Sequence, residues 1–372
     1  MKVGVFSPVL NRCGGAEFVG LNVVNALKEH GHQVVVLSDE PLKQNKFMQI
    51  YKKEVLVDQQ LIFPLRLFSD TNYHNIYTDL IRILVLKSKC SVVIDTFSNA
   101  ILPGVAASYI HHPLLRKLDL ESSSKAIRNR VYYRPYRSYL DFKRNDIRKR
   151  LVFANSKFTA TAIKAETGIH PIVLYPPVSN GLFYNENEYD TNRVDNVTVV
   201  ARISFQKNLE IIPYIARKTR KDISFTIIGL LESKEALESL IKLGSKLGVS
   251  ERIKIMTNVG RDQLKSVLLT SKVFLHTMVN EHFGISIVEA MASGCIPVVH
   301  NSGGPREFVP SNHRYNSVPE AAEILERAVA EWSPSEARKI SNDAEQFSES
   351  NFSKRFTSLF NSHFCRCMRP SV

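Results

Sequence analysis

The chain has 372 residues, 44% hydrophobic and 23% charged, an ordinary globular make-up at a length that calls for two domains rather than one core. It holds no run of about 18 apolar residues, the length of a membrane-crossing helix. Its formal net charge of +13 calls for an anionic partner: nucleic acid, a phosphorylated substrate or a membrane surface.

The opening Met-Lys-Val-Gly-Val-Phe-Ser-Pro is broken too early for a signal peptide and reads as a first strand, Lys2–Phe6. Gly14-Gly15 follows, then a helix over 16–30 that stops at Gly31, and a strand at Gln33–Ser38. Residues 41–86 carry no clear period and are expected to mix helix and loop. Strands are predicted at 91–95, 104–110, 151–154 and 171–174, with a helix over 157–167. Tyr175-Pro-Pro-Val-Ser179 reads as a stiff interdomain linker, because consecutive prolines bar a helix. The alternation then resumes. Strands are predicted at 196–203, 223–228, 252–256, 272–277 and 295–300, and helices at 209–219, 234–247, 261–270 and from about Gly284. Three helices fill 319–367, and Phe352, Phe356, Phe360 and Phe364 on the last form a core-docking stripe. Strands alternating with helices imply α/β units with parallel sheets covered on both faces.

Five cysteines, Cys13, Cys90, Cys295, Cys365 and Cys367, are scattered and odd in number. The Cys365-x-Cys367 spacing is too tight for a usual zinc knuckle, so free thiols in a reducing compartment are expected. Much of the charge is local. Residues 125–150 hold ten Lys/Arg against Asp141 and Asp146, with Tyr132, Tyr133, Tyr136, Tyr139 and Phe142 interleaved. Such a segment reads either as a solvated basic helix pair or as a surface for an anionic membrane, with the tyrosines at the headgroup level.

Four short stretches carry chemistry. Gly14-Gly15 lets backbone amides close on an anion, although it is not the dinucleotide fingerprint and such a pair by itself is more often just a tight turn. His111-His112-Pro113 follows a strand, where ligands of open α/β sheets bind; a lone loop histidine is also commonly without a role. Arg202 ends another strand and Lys207 opens the helix after it; together they neutralise a diphosphate, or form a solvated basic turn. The strongest stretch is Glu281-His-Phe-Gly-Ile-Ser-Ile-Val-Glu289. A helix starting at about Gly284 exposes the amides of Phe283, Gly284, Ile285 and Ser286 as an anion site. Glu281 and Glu289 flank it, suited to accept from sugar hydroxyls.

Glu-x7-Glu with its internal Phe-Gly, followed by Glu-Ala-Met-Ala-x-Gly-x-Pro-Val-Val, resembles the donor-site signature of retaining GT-B glycosyltransferases of the large GT4 family. His300-Asn-Ser-Gly-Gly-Pro305, Gly14-Gly-Ala-Glu17 and Tyr109-x-His-x-Pro113 look most like the mannosyltransferases that extend dolichol-diphosphate-linked glycans. Ala-Arg-Ile-Ser-Phe-Gln-Lys-Asn resembles the Arg-x4-Lys diphosphate clamp, with Ala201 in place of the commoner Gly. The resemblance implies two Rossmann-like domains facing across a cleft: 1–175 for the acceptor, 176–350 for the nucleotide sugar, and 351–372 as a helix returning to the first. It implies hexose transfer with retention, mannose from GDP-mannose to a lipid-diphosphate-linked oligosaccharide, by a protein peripheral on the cytosolic face of a membrane.

Residue by residue, it places Glu281 beside the hexose and Glu289 at the ribose. Arg202 and Lys207 fall on the diphosphate with the amides of Gly14, Gly15, Phe283, Gly284 and Ile285, and His111 among the catalytic groups. His112 occupies a variable position and receives no role. No Asp-x-Asp occurs, so metal-independent chemistry without a cofactor is expected, with the cations as the charge sink. Two readings stand beside this one: a soluble sugar or sugar-phosphate transferase or nucleotide-sugar epimerase of the same fold, and a basic nucleic-acid-binding protein. No nucleic-acid module is legible, so no nucleic-acid partner is expected.

Overall fold

A computed structural model describes residues 1–65, 75–113, 123–179, 183 and 193–364, without the side chains of 123–130. Cys365, Cys367 and the end of the predicted returning segment lie outside the described residues, as do the side chains of Arg128 and Arg130. The chain divides into two compact units: 1–177 with 349–372, and 178–348. The division falls within the proline linker, after Pro177.

Unit 1 holds a seven-stranded sheet in the order β3-β2-β1-β4-β5-β6-β7, every neighbouring pair parallel. Its elements are β1 Lys2–Phe6, α1 Gly15–Glu29, β2 Gln33–Ser38, α2 Gln44–Tyr51, β3 Gln59–Ile62, α3 Ile76–Lys87, β4 Val92–Asp95, β5 Ala107–Ile110, α4 Ser123–Phe142, β6 Leu151–Ala154, α5 Lys157–Thr167 and β7 Ile172–Val173. The central strands are largely apolar and are buried along nearly their whole length, as expected where helices cover both faces. Val3, Val5, Val34 and Val36 pack on α1, while Phe6, Val35, Leu37 and Val93 serve the opposite face.

The ambiguous stretch 41–86 resolves into α2, β3 and α3. β3 escaped notice because an edge strand needs little apolar sequence: Gln59 is exposed, and Gln60 spends its side chain on Ser38 and the Glu40 carbonyl. Beside it, Arg82 is buried over the Phe6 ring, paired with Asp39 and 3.4 Å from Asp79.

The last helix of the chain, Glu349–Phe364, belongs to unit 1 and packs along α1. Phe352, Phe356 and Phe360 are buried and continue the core built by Tyr109 and Phe153. Burial of each stabilises by about 1.5–3 kcal/mol.

The basic segment forms α4 and a following short turn of helix. Tyr133, Tyr136 and Leu140 are buried on the sheet, and the Tyr136 hydroxyl accepts from the Ile101 amide at 2.9 Å. This corrects the expectation of a membrane headgroup level for Tyr133 and Tyr136, while Tyr132 and Tyr139 are half-buried. The spacing of Tyr133, Tyr136 and Leu140 at i, i+3 and i+7 fits a core stripe equally well, and only the neighbouring sheet decides between the two.

Unit 2 holds a six-stranded parallel sheet ordered β10-β9-β8-β11-β12-β13. Its elements are β8 Val194–Val200, α6 Ile211–Lys218, β9 Ser224–Gly229, α7 Lys234–Lys246, β10 Ile253–Thr257, α8 Arg261–Thr270, β11 Ser271–His276, α9 Ile285–Ala292, β12 Ile296–His300, β13 Arg314–Tyr315, α10 Val318–Glu331 and α11 Pro334–Ala344; the closing helix of the chain is then α12. The two-residue β13 was too short to read from sequence. β8 ends at Val200, so Arg202 lies in the loop beyond it rather than at its last position. Residues 205–207 form a single 3-10 turn closed by left-handed Asn208, which delays α6 to Ile211.

Candidate active site

In both sheets the strand order reverses beside the first strand: β1 against β4 in unit 1, β8 against β11 in unit 2. Loops leaving the carboxyl ends of such a pair run in opposite directions and open a crevice, the usual ligand position of the architecture. In unit 2 those loops are the ones that carry Arg202 with Lys207 and His276 with Glu281.

The crevice is stitched by the backbone. The Thr277 hydroxyl donates to the Lys207 carbonyl at 2.6 Å, and the Asn208 amide group donates to the Thr277 carbonyl at 3.3 Å. The Glu281 loop is held from its other side by residues 302–304. The Gly304 amide donates to the Glu281 carbonyl at 2.8 Å, and the Asn280 amide donates to the Ser302 hydroxyl at 2.7 Å. Gly303 lies at φ +74°, and a Cβ there would stand 2.2 Å from the Glu281 carbonyl oxygen. Only glycine fits, which explains Gly303.

These contacts bring Lys207 Nζ to 2.9 Å from Glu281 Oε2, with His276 Nε2 at 3.3 Å from the same oxygen. Glu281 Oε1 accepts from the His282 amide at 3.0 Å. Burial pushes the Glu281 carboxyl up, but the His276 and Lys207 contacts outweigh it and hold the group well below the usual carboxylate range. Glu281 is therefore an anion that faces the crevice with fixed orientation.

Helix α9 starts where the sequence places it. Gly284 is its N-cap at φ +88°, and the helix carries no side-chain cap. Helix geometry leaves the amides of Ile285 and Ser286 without intrahelical acceptors. Phe283 is buried between Phe308 and Phe347, so its ring anchors the turn and only its backbone can meet a ligand. Glu289 is buried and pairs with Arg261, at the start of α8, whose guanidinium stands over the Phe183 ring at 5.7 Å.

Arg202 points elsewhere. Its side chain is 51% exposed and pairs with Glu232 at 2.6 Å. Its backbone is fixed: a Cβ on Gly229 would lie 1.7 Å from the Ala201 carbonyl oxygen. The sequence-predicted clamp is thus half assembled, with Lys207 on Glu281 and Arg202 on a surface carboxylate.

The unit 1 candidates are described separately. Gly14 caps α1, and its amide donates to the Glu17 carboxylate at 3.0 Å, so a side chain of the same turn occupies that anion position. Gly15 is the first helical residue. His111 is held by both ends of its peptide: its amide donates to Asn99 Oδ1 at 2.7 Å and its carbonyl accepts from Asn155 at 2.9 Å. His111 Nε2 lies 3.2 Å from the Thr96 carbonyl. A carbonyl only accepts, so this contact puts the ring proton on Nε2.

His276 and Arg261 received no role from sequence. His276 ends an apolar strand five residues before Glu281, and Arg261 follows Gly260 at a helix start; those positions were the available signals. Among the described residues, no group of three or more His, Cys, Asp or Glu is placed to hold a metal ion.

Residues 189–351 match the family described as glycosyl transferases group 1. Over 295 residues the chain is 25% identical to the GDP-Man:Man(3)GlcNAc(2)-PP-Dol alpha-1,2-mannosyltransferase of Dictyostelium discoideum, covering 72% of this chain and 57% of that protein. It is 31% identical over 171 residues to the human protein of the same name, covering 42% of this chain and 35% of that one. The chain thus spans about half the length, or less, of these curated relatives. A glycosyltransferase from Rickettsia africae ESF-5 shares the fold, with a TM-score of 0.71 and 14% identity over 97% of this chain and 98% of that one. The architecture is GT-B, and the whole crevice of unit 2 lies within the family-matched residues 189–351.

Proposed function

We propose that the protein transfers a hexose from a nucleotide sugar, with retention of configuration, onto a lipid-diphosphate-linked glycan, and that the donor is GDP-mannose. The observation that carries the reading is the Lys207–Glu281 pair beside the uncapped start of α9, at the switch point of unit 2. The donor and acceptor are suggested by the names of the relatives.

On this reading, charge that develops on the departing diphosphate meets the amides at Ile285 and Ser286, the Lys207 ammonium, and Arg202 once it leaves Glu232. Electrostatic stabilisation of this kind is usually the largest catalytic contribution. Glu281 orients the hexose and faces the positive charge of an oxocarbenium-like state. Glu289 keeps an oxygen for a ribose hydroxyl while Arg261 holds the carboxylate. The cations replace a metal, so transfer continues in excess EDTA. The decisive experiment offers GDP-, UDP- and ADP-sugars with lipid-linked and water-soluble acceptors. Mannosyl transfer to the lipid-linked acceptor is expected; transfer only to soluble acceptors, or a requirement for added Mn2+, removes this reading.

The acceptor's isoprenoid stays in a bilayer, and α4 supplies a surface for it. Val131 is 70% exposed and Phe142 is 82% exposed, three turns apart on one side of the helix, with exposed Arg134 on the same helix and the Lys143 ammonium 5.2 Å from the Phe142 ring centre. No helix among the described residues is long and apolar enough to cross a membrane. We assign this face, rather than the tyrosines, to an anionic membrane surface, with the protein peripheral on the cytosolic side. Each cation near such a surface contributes about 1 kcal/mol. Flotation with phosphatidylserine vesicles tests it: Phe142→Ser with Arg134→Gln and Lys143→Gln is expected to lose binding that the wild type shows at low salt, and equal flotation of both overturns the assignment.

A further inference from the structure

We propose that His276 is a positioning residue for Glu281, holding the carboxylate in place when Lys207 turns to the donor's diphosphate; the inference rests on the transfer reading above. Lys207 is asked to do two things. It neutralises Glu281 in the free protein, and a diphosphate at the start of α9 competes for the same ammonium. A lysine head on a flexible four-carbon stem can change partners. Glu281 is largely buried, and a carboxylate left there without a partner is costly.

His276 cannot move away. It is the last residue of β11, in register with Val299 of β12, and its carbonyl accepts from the Tyr315 hydroxyl at 3.1 Å. Its side chain is 4% exposed, with Nε2 at 3.3 Å from Glu281 Oε2. Nε2 is buried and has no regularly aligned hydrogen-bond acceptor in the free protein, so Glu281 is the carboxylate it faces. A carboxylate only accepts, so the proposed contact requires the tautomer with its proton on Nε2. The oxygen pair of Glu281 is then spanned by a strand-mounted ring on Oε2 and the His282 amide on Oε1. Both persist after Lys207 leaves. Catalytic contacts of this type are often long in a free enzyme and tighten when substrate is bound.

The test uses His276→Leu, His276→Gln and each in the Glu281→Gln background, with full-length protein and GDP-mannose. Misplacing a reacting-centre group by about 1 Å costs up to about 100-fold, so His276→Leu is expected to lose about 10–100-fold in kcat. Donor KM is expected to stay within about twofold, the signature of an interaction felt mainly in the transition state. His276→Gln keeps an N–H and is expected to recover most of the rate. In the Glu281→Gln background, His276→Leu is expected to cost nothing further in kcat, while its effect on thermal stability persists. Wild-type kcat in His276→Leu, or losses that simply multiply with Glu281→Gln, overturns the proposal. A wild type inactive with every nucleotide sugar defeats the transfer reading instead. The contact is then judged by the 15N resonances of the His276 ring, assigned by their absence in His276→Gln. Movement of these resonances in Glu281→Gln supports the pairing, and unmoved resonances overturn it.

Discussion

The two units each place a glycine at the start of a helix on the carboxyl side of the sheet, and they finish it differently. At Gly14 a residue of the helix fills the turn: Glu17 reaches back and accepts from the Gly14 amide, the one half of a capping box that a glycine N-cap allows. At Gly284 the N-cap is left-handed, the helix carries no side-chain cap, and the nearest carboxylate is turned to Lys207 and His276. One turn supplies its own anion, while the other has its anion held aside by Lys207 and His276. A Gly-Gly or Phe-Gly at a helix start is therefore not by itself a phosphate site; what matters is whether a local carboxylate fills it first.

The largest effect expected from breaking this contrast is at the held-aside anion. Lys207→Ala removes a cation from the leaving group and is expected to lower kcat by about 100–1,000-fold, as loss of an electrostatic donor does. Arg202→Ala, on an exposed pair, is expected to leave folding unchanged and to lower transfer by a smaller factor. Product formation beside a thermal melt separates the two; wild-type turnover in an intact Lys207→Ala protein removes Lys207 from the mechanism.

Next in size is the backbone itself. Gly284→Ala puts a side chain at φ +88° with its Cβ 2.5 Å from Ile287 Cδ1. A left-handed non-glycine residue costs about 1–2 kcal/mol. Gly14→Ala sits at φ −93° and meets only the flexible Glu17 carboxylate, so its cost is expected to stay under about 1 kcal/mol. Urea denaturation compares the pair, and equal destabilisation would contradict the difference between the turns.

The smallest effect is in pH dependence, where the two carboxylates have opposite signs. Glu281 is held below its unfolded value, so its contribution is present above the unfolded pKa of about 4.3 and is lost as pH falls through the lower folded value. Glu17 is raised, chiefly by burial, although hydrogen bonds from its own amide and that of Gly14 oppose the rise. Its contribution is present below about pH 4.3 and is lost as pH rises through the higher folded pKa. Stability followed from pH 7 toward pH 4, relative to wild type, is thus expected to shift in favour of Glu281→Gln and against Glu17→Gln. Parallel curves for the two variants would refute the assignment of opposite signs.

The sequence by itself determined what depends on near neighbours. Apart from β3, the strands from β1 to β12 carry apolar runs that alternate with helices of fitting period, so the parallel architecture was readable. Gly284 marks the start of α9 because its backbone conformation is a property of that residue. The Phe352, Phe356 and Phe360 stripe marks a docking helix because helical period is local.

What only tertiary structure decided is which charge meets which. Lys207 and Glu281 are 74 residues apart in the chain and Arg202 and Glu232 are 30 apart, and each pair meets through the order of parallel strands. Tyr133 and Tyr136 were equally suited to a membrane or a core until the sheet beneath them was in place. β3 and β13 are short edge strands with little apolar sequence, defined by a partner rather than by their own residues. The physical reason is range. Backbone preference and periodicity act over a few residues, whereas an ion pair of about 3 Å is specified by every strand and turn that brings its two loops together.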